Sequence, residues 1–180
     1  TGDDVFISTA GPTVVIGSGV NAIIRSLNIA GGRTLEIGGG SLTVAQVSTL
    51  GGGLTLSSGT LTLDAATSVA GVFTQSGGTL AGSGNLTLNA VGNIWSSGTW
   101  SGGGTTTLGS TLGVGATLTA SGTATSTIFS GRTLAIGNLA SATFNGDIEL
   151  ETGSSAIANA GTLTFDGTRL SHFFNSVGTL

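Results

Sequence analysis

The side chains in this chain that could carry acid–base or metal chemistry are few and scattered. There is one histidine, His172, and there are eight acids, no cysteine and no lysine; the four basic residues are Arg25, Arg33, Arg132 and Arg169. Serine is abundant, so a Ser-His-Asp triad can be drawn formally. Such catalysis needs a nucleophile, a base and an orienting group that converge. Nothing around His172 marks a serine as activated, and His172 reads as a structural or solvated residue.

The densest acidic stretch is Asp147-Ile148-Glu149-Leu150-Glu151. Strand alternation puts its three carboxylates on one outward face, roughly 6–7 Å apart. Such a face could hold calcium, a hard cation that takes six to eight oxygen ligands. The glycine-rich calcium-binding nonapeptide is absent, however, and a solvated strand face is the plainer reading. Asp3-Asp4 reads as the start of the first strand. Glycosidases and lyases need clustered ionisable groups, yet no charged side chain occurs from Ala65 to Gly131. The expectation is therefore a chain that is not an enzyme and needs no cofactor.

Glycine accounts for 34 of 180 residues and only 7% are charged, against roughly 25% in an average globular domain. The surface must be solvated by hydroxyls and backbone. Disorder is not the reading, because 38% of residues are hydrophobic and mean hydropathy is +0.45, whereas disordered chains are poor in apolar residues. Collagen is excluded by a single proline and the lack of a three-residue glycine period. No apolar run of about 18 residues is present to span a membrane as a helix. A net charge of −4 with dispersed arginines argues against a nucleic-acid partner, which requires a clustered basic face.

What must position these residues is a repeat. GRTLEIGGGSLTV at 32–44 returns as GGGLTLSSGTLTL at 51–63. A shift of nineteen sets Leu35 over Leu54 and Leu42 over Leu61, and a second reaches Phe73 and Leu80. A shift of twenty then reaches Thr99 and Trp100 and carries Asn85–Leu88 onto Thr105–Leu108. Phe144-Asn145-Gly146 reappears after twenty-one as Phe165-Asp166-Gly167. GRTLEIG at 32–38 and GRTLAIG at 131–137 stand ninety-nine apart, which reads as five coils. In that reading Arg33 and Arg132 occupy one place beside a turn, capping carbonyls or pairing with an acid such as Glu36.

Within a unit, apolar and hydroxyl residues alternate, which is the pattern of strands with one buried face. The Ser/Gly tripeptides between them read as turns. Units in constant register favour parallel stacking over a β-sandwich of glycine-rich hairpins. The expected fold is all-β, a parallel β-solenoid of about nine coils of 19–21 residues, roughly 43 Å tall, forming a single domain over 1–180. Leu35, Leu54 and Phe73 form one inward ladder; Leu42, Leu61, Leu80 and Trp100 form another. The orientation of Trp95 depends on where a one-residue insertion falls. Inward is favoured, because a large apolar ring is seldom left exposed; outward, it would offer a ring to a sugar or a partner.

The segment SGGTLAGSGNLTLNAVGNIWSSGTWSGGGTT at 76–106 and the opening TGDDVFIS…TVVIGSG…IIRSLNIAGGRTLEIGGGSLTV resemble β-helical repeat tracts of giant bacterial surface proteins, the filamentous-haemagglutinin-like and autotransporter-passenger-like adhesins. The resemblance implies a right-handed β-helix, export to the cell surface or the extracellular space, and a role as stalk, fibre or adhesin. It carries over no catalytic residue.

Two functional expectations follow. The first is a structural scaffold, as a filament subunit or adhesin stalk. Solenoid ends expose unpaired strand edges, and neither end shows a helix or charge-rich segment to cap it. Head-to-tail association of copies is the expected partnership, and the chain reads as a filament subunit or as one segment of a longer chain or fibre. The alternative is a surface-binding module for glycan or ice, using an outward array of Ser41, Thr43, Thr60, Thr62, Thr79, Thr99 and Ser101, with spacings of ~4.8 and ~6.7 Å, or Trp95. Threonine also simply suits an exposed pleated surface.

Overall fold

Short alternating segments separated by glycine favour strands too brief to stand alone, so each must be stabilised by the copy above and below it. The computed structural model describes residues 2–8, 11, 13–122, 127–150, 155–166 and 170–172, without side chains for 127, 128 and 170–172. It is a parallel β-solenoid, with no helix among the described residues. Each coil carries three strands, and like strands of successive coils pair in parallel to form three faces.

One coil illustrates the path. Ser48–Leu50 lies on face one. The chain turns at Gly51-Gly52 and runs as one long strand, Gly53–Leu63. It then returns to face one as Thr67–Val69. The long strand serves two faces, because it bends at Ser57-Ser58-Gly59 without leaving the ladder. The tripeptides read as turns are thus bends inside continuous strands. Gly59 holds φ +75°, and a Cβ there would overlap the carbonyl oxygen of Gly40 in the coil above. Only glycine meets both demands.

The ladders lie where the repeat placed them. Leu35 pairs with Leu54 and Leu42 with Leu61; Leu54 pairs with Phe73 and Leu61 with Leu80; Trp100 pairs with Leu80. All seven are buried to 3% exposure or less. Phe144 pairs with Phe165 as the 21-residue step requires. Trp95 pairs with Gln75, in the inward column below Leu56, and is fully buried.

Two expectations need correction. The solenoid has about seven turns, not nine, with eight paired strands on face one among the described residues, giving a height of roughly 34 Å. The coil widens after the fifth: Leu86 pairs with Thr106, but Thr105 pairs with Thr133. An antiparallel excursion, Ser110–Thr111 with Val114–Gly115, takes up part of that extra length. The second correction follows from the first. Thr34–Val44 stacks on faces two and three, whereas Thr133–Ile136 stacks on face one. The two GRTL heptapeptides therefore occupy different corners, and ninety-nine residues is not a whole number of coils.

Candidate functional site

The acidic stretch alternates as expected. Ile148 and Leu150 are buried and Glu149 points outward between them, while Glu151 lies outside the described residues. Among the described residues, no group of three or more His, Cys, Asp and Glu side chains is placed to hold a metal ion. His172 pairs in register with Leu150, and its side chain lies outside the description.

The hydroxyl array is real but not unique. On face three, Ser41, Thr60, Thr79 and Thr99 stack in one column, with Thr43, Thr62 and Ala81 in the next. Face one carries Thr49, Ser68, Thr87 and Thr107. Face two carries Thr119, Thr143 and Thr164, with Thr117, Ser141 and Thr162 beside them. Hydroxyls on every face point to general solvation of a nearly uncharged rod.

The interior holds polar groups that the repeat did not reveal. Trp95 and Trp100, on either side of one bend, stack at 4.2 Å and 9°. Phe129 meets both edge-on, at 4.8 and 5.5 Å. Trp100 Nε1 donates to Gln75 Oε1 at 2.6 Å, so an inward glutamine serves the indole. Asn93 accepts from the Phe73 amide at 2.9 Å and donates to the carbonyls of Ala90 and Thr117. It links coils where their spacing in sequence lengthens from twenty residues to twenty-five. A polar residue at an inward register position is the signal that could have found it.

Arg132 is wholly buried. Its Nε donates to Thr106 Oγ1 at 2.9 Å, Nη1 to the Gly82 and Ser101 carbonyls at 3.2 and 3.4 Å, and Nη2 to the Gly84 carbonyl at 2.8 Å. Turn-carbonyl capping is thus what this arginine does, across three coils. Burial pushes the guanidinium down to about 10, so it remains a cation at neutral pH. Arg33 is also buried, but at the other corner.

The surface that departs most from the rest of the rod is the first rung, formed by Asp4–Ile7, Val14–Ile16 and Asn21–Ile24. Among the described residues, each strand pairs on one side only. Val5, Ile7, Val14, Ile16, Ala22 and Ile24 face inward yet are only partly buried. They line a wholly apolar mouth of about 230 Å³ floored by Leu27, Leu35 and Leu42. Outside the rung, Asp4 clamps the next coil, accepting from Arg25 Nε at 2.9 Å, from Arg25 Nη2, and from Ser26 Oγ at 2.5 Å. These bonds hold the Asp4 carboxyl well below the usual carboxylate range.

Comparison with protein families, with curated proteins and with solved structures finds no match for this chain. Among the described residues, no helix is long and apolar enough to cross a membrane.

Proposed function

We propose that this chain is a non-catalytic structural element of an extracellular or cell-surface rod, a filament subunit or adhesin stalk whose coils continue end to end. The observation that carries this reading is the first rung. Its inward ladder ends in a 230 Å³ apolar mouth, and among the described residues no further strand pairs with the outer edges of its three strands. Another rung of β-coil satisfies both at once, burying the mouth and extending the ladders. That rung comes from a second copy stacked head to tail or from a neighbouring coil of a longer polypeptide. At the opposite end, Phe165 is an inward-register residue still 43% exposed, an apolar counterpart for such a joint. The charge-free stretch from Ala65 to Gly131 offers no groups for acid–base chemistry, and the resemblance to bacterial surface-protein tracts supports the setting outside the cell.

The test is electron microscopy with sedimentation velocity over a concentration series. The expected result is rods in multiples of about 34 Å that shorten to single units when Ala22→Asp places a carboxylate in the mouth. Single units at every concentration, with the mouth residues open to solvent labelling, would overturn the axial joint.

A second reading, glycan or ice binding, is favoured by the in-register hydroxyl columns that include Thr43, Thr60, Thr62, Thr79 and Thr99. Glycan-array and thermal-hysteresis measurements test it, and null results in both remove it. Trp95 has no part in that reading, since its ring is buried.

A further inference from the structure

Along the corner between faces one and two, the early turns are made of small residues, Gly31-Gly32 and Gly51-Gly52. Further along the rod the same corner becomes apolar. Val72 is 43% exposed, Val91 56%, Val114 57% and Leu139 57%. Between the turns of Val91 and Leu139 projects the antiparallel excursion, with Leu112 at its tip and 99% exposed. Its base is stacked into the corner: Gly109 N donates to Leu88 O, Thr117 N to Ala90 O, and Ser141 N to Ala116 O. The excursion is therefore held by the coils on both sides of it.

Leu112 has φ +51°, the one positive value at a non-glycine residue among those described. Glycine or asparagine adopts this conformation more readily than a leucine. Leu112 is exposed to 99%, so packing within its own chain does not offset that strain, and such an outlier points to a role beyond the fold. Beside the excursion, a groove of about 210 Å³ runs from Thr107–Ser110 to Gly137, Asn138 and Leu139, with Leu108 and Leu139 as its apolar side chains, room enough for a leucine side chain.

We infer that this corner is a lateral docking surface for a second copy of the chain, with Leu112 of each copy seated in the groove beside the other's excursion. Projection and groove lie within one patch, so a two-fold axis lets each serve the other, as an isologous contact requires. Charge favours the same occupant. Buried Arg132 aside, no charged side chain occurs from Ala65 to Gly146, and a charged partner would lose hydration against this row while another copy of the corner would not. The exposed apolar area of the row is on the order of 500 Å² per copy, below the ~800 Å² of a standard interface. The contact is accordingly weak between single chains, and it strengthens when a rod presents several such corners together.

The experiment is sedimentation velocity over a concentration series in an Ala22→Asp background, which blocks the axial joint and leaves the lateral one. The expected result is a reversible monomer–dimer equilibrium, weakened at least tenfold by Leu112→Asn. That variant relieves the backbone strain, so its thermal midpoint should be unchanged or raised. Leu139→Asn, at the groove, should weaken the dimer in the same way. A parent that is monomeric throughout, or a dimer indifferent to both substitutions, overturns the inference. So does binding of neutral phosphatidylcholine vesicles by a chain that stays monomeric, which would assign the row to a lipid surface. Failure of the axial joint reads out separately, as an absence of rods in the chain without Ala22→Asp.

Discussion

Replacing Arg132 tests whether a single buried cation holds three coils in phase. Its guanidinium makes four hydrogen bonds, to Thr106 Oγ1 and the carbonyls of Gly82, Gly84 and Ser101. Hydrogen bonds to a charged donor contribute about 1.5–3 kcal/mol each. Four would contribute about 6–12 kcal/mol gross, but burying the ion costs several kcal/mol in lost hydration. The net effect of Arg132→Ala, including the space left by the aliphatic stem, should be a loss of about 3–5 kcal/mol. Arg132→Met keeps the stem and removes both the charge and the donors, so it should cost less, about 2–3 kcal/mol. Arg132→Lys should resemble Ala more than Met, because one ammonium cannot span Thr106 and Gly84 together while its charge stays buried. Urea unfolding followed by circular dichroism gives the midpoint and the slope for each variant. A loss below about 1 kcal/mol for Arg132→Ala, with the slope unchanged, refutes the reasoning. Hydrogen exchange should place the weakening at the strands Thr105–Leu108 and Thr133–Ile136, not at the first rung.

Two further outcomes follow from the same structure. Trp100→Leu restores the residue type of its column but leaves the Gln75 amide oxygen without its indole donor, and should cost about 2–4 kcal/mol by denaturant unfolding. Adding Gln75→Leu should recover part of that loss, and a strictly additive double variant speaks against the coupling. The Asp4 clamp sets an acid limit on the first rung. Its folded carboxyl titrates below the unfolded value, so the unfolded state binds more protons as pH falls through the carboxylate range. The contribution is present above an unfolded value of about 4 and is lost below it. Amide protection in Asp4–Ile7, corrected for the intrinsic exchange rate at each pH, should fall on acidification, and Asp4→Asn should flatten that dependence.

The fold was legible because one local rule is repeated. Leu54-Thr55-Leu56 and Thr60-Leu61-Thr62-Leu63 declare strands with one buried face, and constant spacing of Leu35, Leu54 and Phe73 declares parallel stacking. The hydroxyl positions could be read too, since the outward residues are the alternates of the inward ones. The first rung was foreseen only as an unprotected end. Its mouth became visible when Val5, Val14 and Ala22, on three successive strands, were brought around one opening.

Phase was not legible, and the reason is physical. Every face asks for the same alternation, so GRTLEIG and GRTLAIG fit two different corners equally well. Only the lengths of the intervening corners decide which coil a strand joins, and those lengths include an excursion that no ladder predicts. The interior polar contacts depend on the same decision. Gln75 meets Trp100 and Arg132 meets Gly82 only after the coils have stacked. The sequence by itself determined a cysteine-free β-solenoid solvated by hydroxyls. Tertiary structure alone decided its number of turns, the corner each GRTL segment occupies, the inward stacking of Trp95 on Trp100, and the exposure of Leu112 on an excursion from the coil's path.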